Sequence, residues 1–291
     1  MIVLIGASGQ LGSALVEEAA SRDLALATPS HAELDLLDTA AVGAYLEHVR
    51  PAAVINCSAF HNVDQCEKTP EPAFATNALA VDALAAQCAK SEIAVATVST
   101  DYVFDGTLGR PYTENDAPNP LSAYGASKLA GELLLRRHGP LHYIFRTSGV
   151  YGKSGTSNKG YTFVERVLQQ AERGEPLRIV DDMTFSPSYA PHVARVMLDA
   201  IARRAYGTHH VAGGGSTTWY AFAMRAFVGA GLAASVEPVS YATFPSPVRR
   251  PLFSPLESVT LRGAGIEPPP AWEEGLDAFL AVRAARHNAP A

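Results

Sequence analysis

The chain is short of the residues that would place it in several large classes. Its 291 residues hold only three cysteines, Cys57, Cys66 and Cys88. They make no paired framework and have no zinc-like spacing with the histidines, so neither a disulfide scaffold nor a metal site is expected. No apolar segment reaches the roughly 18 residues of a spanning helix. The chain starts inside an apolar run rather than on a cationic leader, which points to a cytoplasmic protein without a membrane partner. Dense basic runs are missing too. With 23 Lys and Arg against 29 Asp and Glu, the net charge is -6, which argues against nucleic acid as a partner. There is no internal repeat. What the chain does have is apolar content, 47% of its residues, enough to fill a large α/β core and a smaller cap.

Apolar runs of strand length at 1–5, 24–28, 53–57, 93–98 and 143–146 alternate with helical patterns, including a long one over 73–89. Such alternation predicts parallel strands joined by crossover helices. The expected fold class is therefore α/β, a Rossmann-like doubly wound parallel sheet with a smaller, mostly C-terminal substrate-binding cap. Residues 1–160 read mainly as the dinucleotide-binding part. Residues 161–291 read mainly as the cap, with some segments returning to the core and a frayed tail from 281. The polar, Gly-rich stretch 153–160 fits either a substrate loop or a plain surface connection.

The first apolar run leads directly into Gly6-Ala7-Ser8-Gly9-Gln10-Leu11-Gly12 and then a helical pattern. Gly6 suits the tight turn, Gly9 lets a pyrophosphate approach the backbone, and Gly12 permits close helix packing, with the anion at the helix N-terminus. The spacing, Gly-x-x-Gly-x-x-Gly, departs from the usual dinucleotide fingerprint. After the second run come Pro29, Ser30 and His31, with no carboxylate among them. An acid there would bind the ribose 2′-hydroxyl and repel a 2′-phosphate, so the expected cofactor is NADPH, with NADH left open. Ser30 and His31 would meet the phosphate, although His31 reads equally well as an ordinary loop residue.

The fourth run ends at Ser99-Thr100-Asp101, and Tyr124-Gly125-Ala126-Ser127-Lys128 follows downstream. Tyr124 and Lys128, four apart, share one helix face, so an ammonium can sit beside a phenol. A free tyrosine titrates near ~10, and a neighbouring cation in a water-poor site eases its ionisation. Ketone reduction builds negative charge on the carbonyl oxygen, and Thr100 with Tyr124 would offer it hydrogen bonds. Asp101 is open between bonding a sugar hydroxyl and capping the turn. Glu132, one turn beyond Lys128, is expected to partner that lysine.

With these residues in view, the whole chain resembles the dTDP-4-dehydrorhamnose reductase family, a nucleotide-sugar branch of the extended short-chain dehydrogenase/reductases. The likeness rests on Gly9-Gln10-Leu11-Gly12, Glu33-Leu34-Asp35-Leu36, Val63 to Glu67, Ser99 to Gly106, Tyr124 to Glu132, Arg146 to Gly152 and Arg250 to Leu256. The resemblance implies that Asp35 and Leu36 contact the adenine side of the cofactor, that Ser58, Ala59 and Phe60 line its path, and that Lys128 holds the nicotinamide ribose. It places Thr100, Asp101, Val103, Phe104, Tyr124 and Arg250 toward the substrate, with Tyr124 as proton donor to the C4 ketone. The implied partner is a dTDP-linked keto-deoxysugar, and a homodimer is left open. The reaction would turn dTDP-4-dehydro-β-L-rhamnose into dTDP-β-L-rhamnose. A related keto-sugar, or a regulatory dinucleotide-binding subunit resembling the methionine adenosyltransferase β subunit, are the alternatives. The chain departs from the family at Gly149, where many members carry a tryptophan that packs on the sugar, and around Asp182, Met183, Pro187 and Ser188. The Arg249-Arg250 pair is open between gripping a diphosphate and making a structural salt bridge.

Overall fold

A computed structural model describes residues 1–153, 161–244, 246 and 248–287. Most of the stretch read as a substrate loop, 154–160, and the end of the expected tail, 288–291, lie outside them. The first part of the chain runs β1 (Ile2–Ile5), α1 (Gln10–Ser21), β2 (Leu26–Ala27), α2 (Thr39–Val49), β3 (Ala53–Asn56), α3 (Val63–Lys68), α4 (Pro70–Phe74), a π turn (Ala75–Leu79) and α5 (Ala80–Lys90). Then come β4 (Ala94–Thr100), a 3₁₀ turn (Asp101–Val103), α6 (Ala123–Arg136), β5 (His142–Thr147), β6 (Val150–Tyr151) and α7 (Phe163–Glu172). The remainder is β7 (Leu177–Val180), β8 (Thr184–Phe185), β9 (Ser188–Tyr189), α8 (Ala190–Ala202), β10 (Gly207–His210), β11 (Thr217–Thr218), α9 (Trp219–Ala230), β12 (Val236–Val239), α10 (Thr260–Gly263) and α11 (Trp272–His287).

Six strands pair in parallel in the order β2-β1-β3-β4-β5-β10. Residues of β1 and β3 are buried on both faces, as parallel strands with helices on each side must be. One face carries α1 and α8 through Leu11, Leu15, Val193 and Met197. The other carries α2 and α5 through Val42, Leu46, Val81 and Leu84, together with Leu135 of α6. The strand order reverses between β1 and β3, and a ligand crevice forms outside the carboxyl ends of strands at such a switch point.

A second hydrophobic core gathers α7, β7, β8, β9, α9 and α11 around Leu168, Phe185, Phe222, Phe227, Leu276 and Phe279. Two helices that frame the site begin on side-chain caps: Ser122 accepts from the Gly125 N–H at the start of α6, and Thr218 accepts from Ala221 at the start of α9. The helical pattern over 73–89 is not one α-helix, because it widens into the π turn at its N-terminal end. Among the described residues no helix is long and apolar enough to cross a membrane.

Candidate active site

The glycine turn after β1 has the shape of an anion cradle. Gly6 has φ +82°, and a Cβ there would stand 3.0 Å from the Cys57 carbonyl carbon and the Ser58 nitrogen, so the loops after β1 and β3 touch at the switch point. A Cβ on Gly12 would overlap the Gly6 carbonyl oxygen. Gly9 starts α1 without a side-chain cap, and no acid occupies the first turn, which leaves helix N–H groups for an anion. Gln10 Oε1 is buried without a protein partner. The glycine turn and the open N-terminus of α1 fit a dinucleotide pyrophosphate.

The loop after β3 is pinned from two directions. Asn56 Oδ1 accepts from Ser58 N at 2.9 Å, while Asn77 Oδ1 accepts from Phe60 N at 2.8 Å. Asn77 Nδ2 donates to the Phe60 carbonyl at 2.9 Å and to Ser127 Oγ of α6 at 3.0 Å. Asn77 lies in the π turn, a geometry that often marks functional positions. This staple between Ser58-Ala59-Phe60 and the helix of Tyr124 has no signal in the sequence, because its partners lie 17 and 50 positions away.

At the end of β2 one expectation changes. Glu33 folds back, its Oε2 accepting from Ser30 N at 2.8 Å, so a carboxylate does stand there in space. His31 is largely exposed and lies 4.0 Å from Asp35, whose Oδ1 also accepts from Leu37 N. Leu11 and Leu36 bury their side chains in the two sheet cores, leaving only their backbone for a cofactor.

Ser99 and Thr100 belong to β4 itself, and Asp101 opens the turn that follows. Tyr124 and Lys128 occupy the first turns of α6, held close to that turn because a Cβ on Gly125 would overlap the Tyr102 carbonyl oxygen. Burial pushes the Tyr124 phenol upward, while a hydrogen bond with Thr100 pulls it down. Lys128 is buried and desolvation lowers it to about 8, with Glu132 and Cys57 working in the opposite direction. In the protein alone, then, the tyrosine is held protonated rather than ionised.

Three expectations need correction. Glu132 is engaged by Arg146, whose Nε and Nη2 reach Oε1 at 2.9 Å and Oε2 at 2.5 Å, while Ser99 Oγ donates to Oε1 at 2.5 Å. Its influence on Lys128 is electrostatic only. Thr100 Oγ1 lies 3.1 Å from Asp101 Oδ1, so its hydrogen goes to that carboxyl while Asp101 is ionised and turns elsewhere only when Asp101 is protonated. Val103 and Phe104 are completely buried in a cluster with Tyr112 and Leu256 and do not face a ligand, because the 3₁₀ turn points them inward.

Beside Tyr102 a cavity of about 720 Å³ opens, walled by Lys68, Arg178, Met183, Trp219 and Arg250. Of the two readings the sequence left open for Arg250, the structure has the salt bridge: it pairs with Asp64 at 3.2 Å while donating to Tyr241 Oη at 2.7 Å, and its side chain also lines this cavity. Arg249 is exposed. The space left by Gly149 is filled by Phe185: its ring would overlap any Cβ there, and it stacks on Trp219 at 3.8 Å and 14°. Neither aromatic was readable as a site residue. Ser148 and Ser254, which reach Asp101 from two distant segments, were also missed.

Comparison with known proteins identifies the family. The family described as RmlD substrate binding domain matches residues 1–284. A dTDP-4-dehydrorhamnose reductase of Mycobacterium tuberculosis is 36% identical over 291 residues, covering 97% of this chain and 93% of that protein. The spore coat polysaccharide biosynthesis protein SpsK of Bacillus subtilis is 32% identical, with 97% of both chains covered. The crystal structure of dTDP-4-dehydrorhamnose reductase from Bacillus anthracis in complex with NADP superposes with a TM-score of 0.92 at 33% identity, covering 97% of this chain and 98% of that one. With nearly its whole length and its fold matched, the chain belongs to the RmlD substrate binding domain family, that of the dTDP-4-dehydrorhamnose reductases.

Proposed function

We propose that this protein reduces the C4 ketone of dTDP-4-dehydro-β-L-rhamnose to dTDP-β-L-rhamnose with NADPH. The observation that carries the reading is the meeting of Tyr124 with Thr100 at the carboxyl end of β4, next to a cavity with aromatic and cationic walls. Relatives named for this reaction, one of them solved with NADP, support it.

Gly6, Gly9 and Gly12 with the open N-terminus of α1 would hold the pyrophosphate, Asp35 and Leu36 the adenine side, and Ser58, Ala59 and Phe60 the path toward Lys128 and the nicotinamide ribose. When bound, the nicotinamide supplies a hydride to the ketone carbon. Tyr124 keeps its proton because burial disfavours the phenolate, and it releases that proton to the ketone oxygen as charge builds there. The Lys128 ammonium favours the phenolate that remains. In this reading the second core is the substrate-binding cap. Lys68, Arg178 and Arg250 meet the diphosphate, where guanidinium geometry matches phosphate. Because Phe185 and Trp219 shape the wall at Gly149, a related nucleotide-linked keto-deoxysugar is the second substrate to assay.

The test is NADPH oxidation with dTDP-4-dehydro-β-L-rhamnose generated in situ, followed by identification of the product. Tyr124→Phe is expected to retain NADPH binding and to lower kcat on the order of 10²-fold or more. Near-normal turnover in that variant would remove Tyr124 as the donor. A lower KM for NADPH than for NADH is expected. Glu33→Gln should widen the difference, since it removes a negative charge from the end of β2.

A further inference from the structure

We propose that Asp101 is a proton store for Tyr124, joined to it by the hydroxyl of Thr100. The proposal rests on the reading of Tyr124 as proton donor. Its basis is an unusual carboxylate: Asp101 is 4% exposed, yet every side chain that hydrogen-bonds it is neutral. Oδ1 accepts from Thr100 Oγ1 at 3.1 Å, and Oδ2 accepts from Ser148 Oγ at 2.9 Å and Ser254 Oγ at 2.6 Å. Buried charges are ordinarily paired with a cation. The neighbouring Glu132 has Arg146, but Asp101 has three hydroxyls.

Thr100 is the link. Its hydroxyl carries one hydrogen and two lone pairs, and it touches both Asp101 and the Tyr124 phenol. With Asp101 ionised, that hydrogen points to the carboxylate and Thr100 meets the phenol as an acceptor. With Asp101 protonated the order reverses: the acid donates to Thr100, and Thr100 donates to Tyr124. The two states differ by one proton and a concerted turn of hydrogen bonds.

During turnover the Tyr124 O–H bond breaks as an O–H bond forms on the sugar oxygen. The phenolate then takes the Thr100 hydrogen while Thr100 takes that of Asp101. The carboxylate left behind regains a proton from water after product leaves. No oxidant or reductant beyond the hydride donor is involved.

Burial pushes Asp101 up to about 6, with the Ser254, Ser148 and Thr100 hydrogen bonds pulling the other way, so the store fills just below neutrality. The titratable groups that feel its charge are Tyr102 on its own turn and Tyr124 on α6. Ser148, after β5, and Ser254 face it without charge. The cations on the surrounding elements are Lys128 on α6, Arg146 on β5, which is bound to Glu132, and Arg250, which is bound to Asp64. None of the three hydrogen-bonds to Asp101.

The experiment is a proton inventory in mixed light and heavy water on single-turnover reduction by the NADPH-loaded enzyme, combined with a pH profile. The wild type is expected to give a curved inventory and a rate that falls several-fold as pH rises through about 6. Asp101→Asn and Thr100→Val should give straight inventories and lose the inflection, and Thr100→Ser should restore the curvature. Wild-type curvature and profile in Asp101→Asn would overturn the proposal. If that variant does not fold, Ser254→Ala serves instead: losing a hydrogen bond to the carboxylate should move the inflection to higher pH, and an unmoved inflection overturns the store. The infrared carboxyl band of Asp101, read in the NADPH-loaded protein without substrate, should titrate near the same pH and shift in Thr100→Val. A band that does neither overturns the proposal whichever sugar is reduced. Failure to turn over the dTDP sugar while the band behaves as expected counts against the substrate reading alone.

Discussion

A buried carboxylate without a cation leaves a mark on stability as well as on chemistry. The folded-state value of Asp101, about 6, is raised above its ordinary 3.8, so its favourable contribution is complete below 3.8 and is lost as pH rises through about 6. Above that point the native state carries a cost of about 3 kcal/mol from this residue. Asp101→Asn is therefore expected to raise stability against urea at about pH 8 by up to about 3 kcal/mol, and to leave it nearly unchanged at about pH 4. A gain of equal size at both values would show that the buried charge is not its source. His210 has the opposite sign. Burial holds it at about 4, below its ordinary 6.5, so its stabilising contribution is present above 6.5 and lost as pH falls toward 4. That loss is common to wild type and variant and cancels in the comparison. Asp101 was legible as a candidate from the residues around it. Its lack of a cation was not, because Ser254 stands 153 positions away and arrives only when the chain folds.

Among the elements, β8 and the turn after β5 are locked together through a missing side chain. Gly149 has φ +50°, and the Phe185 ring fills the volume where its Cβ would be. Phe185 cannot simply swing aside, since it stacks on Trp219 and packs edge-on against Phe222. Gly149→Ala combines a strained backbone with an overlap and is expected to cost about 2–4 kcal/mol. Adding Phe185→Leu should recover part of this, which a double-mutant cycle by thermal unfolding would read as a favourable coupling. Additive losses would mean the two residues do not compete for the same space. A sequence can show a glycine, but the ring that takes its room comes from another strand. The π turn has the same character. The pattern over 73–89 reads as one helix, whereas the π turn within it carries Asn77, whose bonds to Phe60 and Ser127 come from distant segments. By contrast β4 and α6 were legible, because an apolar run and the four-residue spacing of Tyr124 and Lys128 are local signals.

Across the whole molecule, the bidentate pair of Glu132 with Arg146 crosses the inside of the fold, joining α6 to β5 while Ser99 ties it to β4. Both side chains are almost entirely buried, 0% and 2% exposed. Removing one partner strands the other in a dry interior, so Glu132→Ala is expected to cost about 3–5 kcal/mol. Replacing both by methionine should cost less than either single truncation, because no unpaired charge is left behind. Equilibrium unfolding of the three variants checks this, and a double variant weaker than both singles would contradict it. The sequence by itself determined the α/β class, the glycine turn at the end of the first strand and the four-residue spacing of Tyr124 and Lys128. Those follow from hydrophobic periodicity and local backbone preference, which act over a few residues. Only the tertiary structure decided that Arg146 takes Glu132 away from Lys128, that Glu33 returns to Ser30, that Val103 and Phe104 turn inward, and that three neutral hydroxyls surround Asp101. The physical reason is that hydrogen bonding and desolvation depend on distances of a few ångströms between segments far apart in the chain, and folding alone sets those distances.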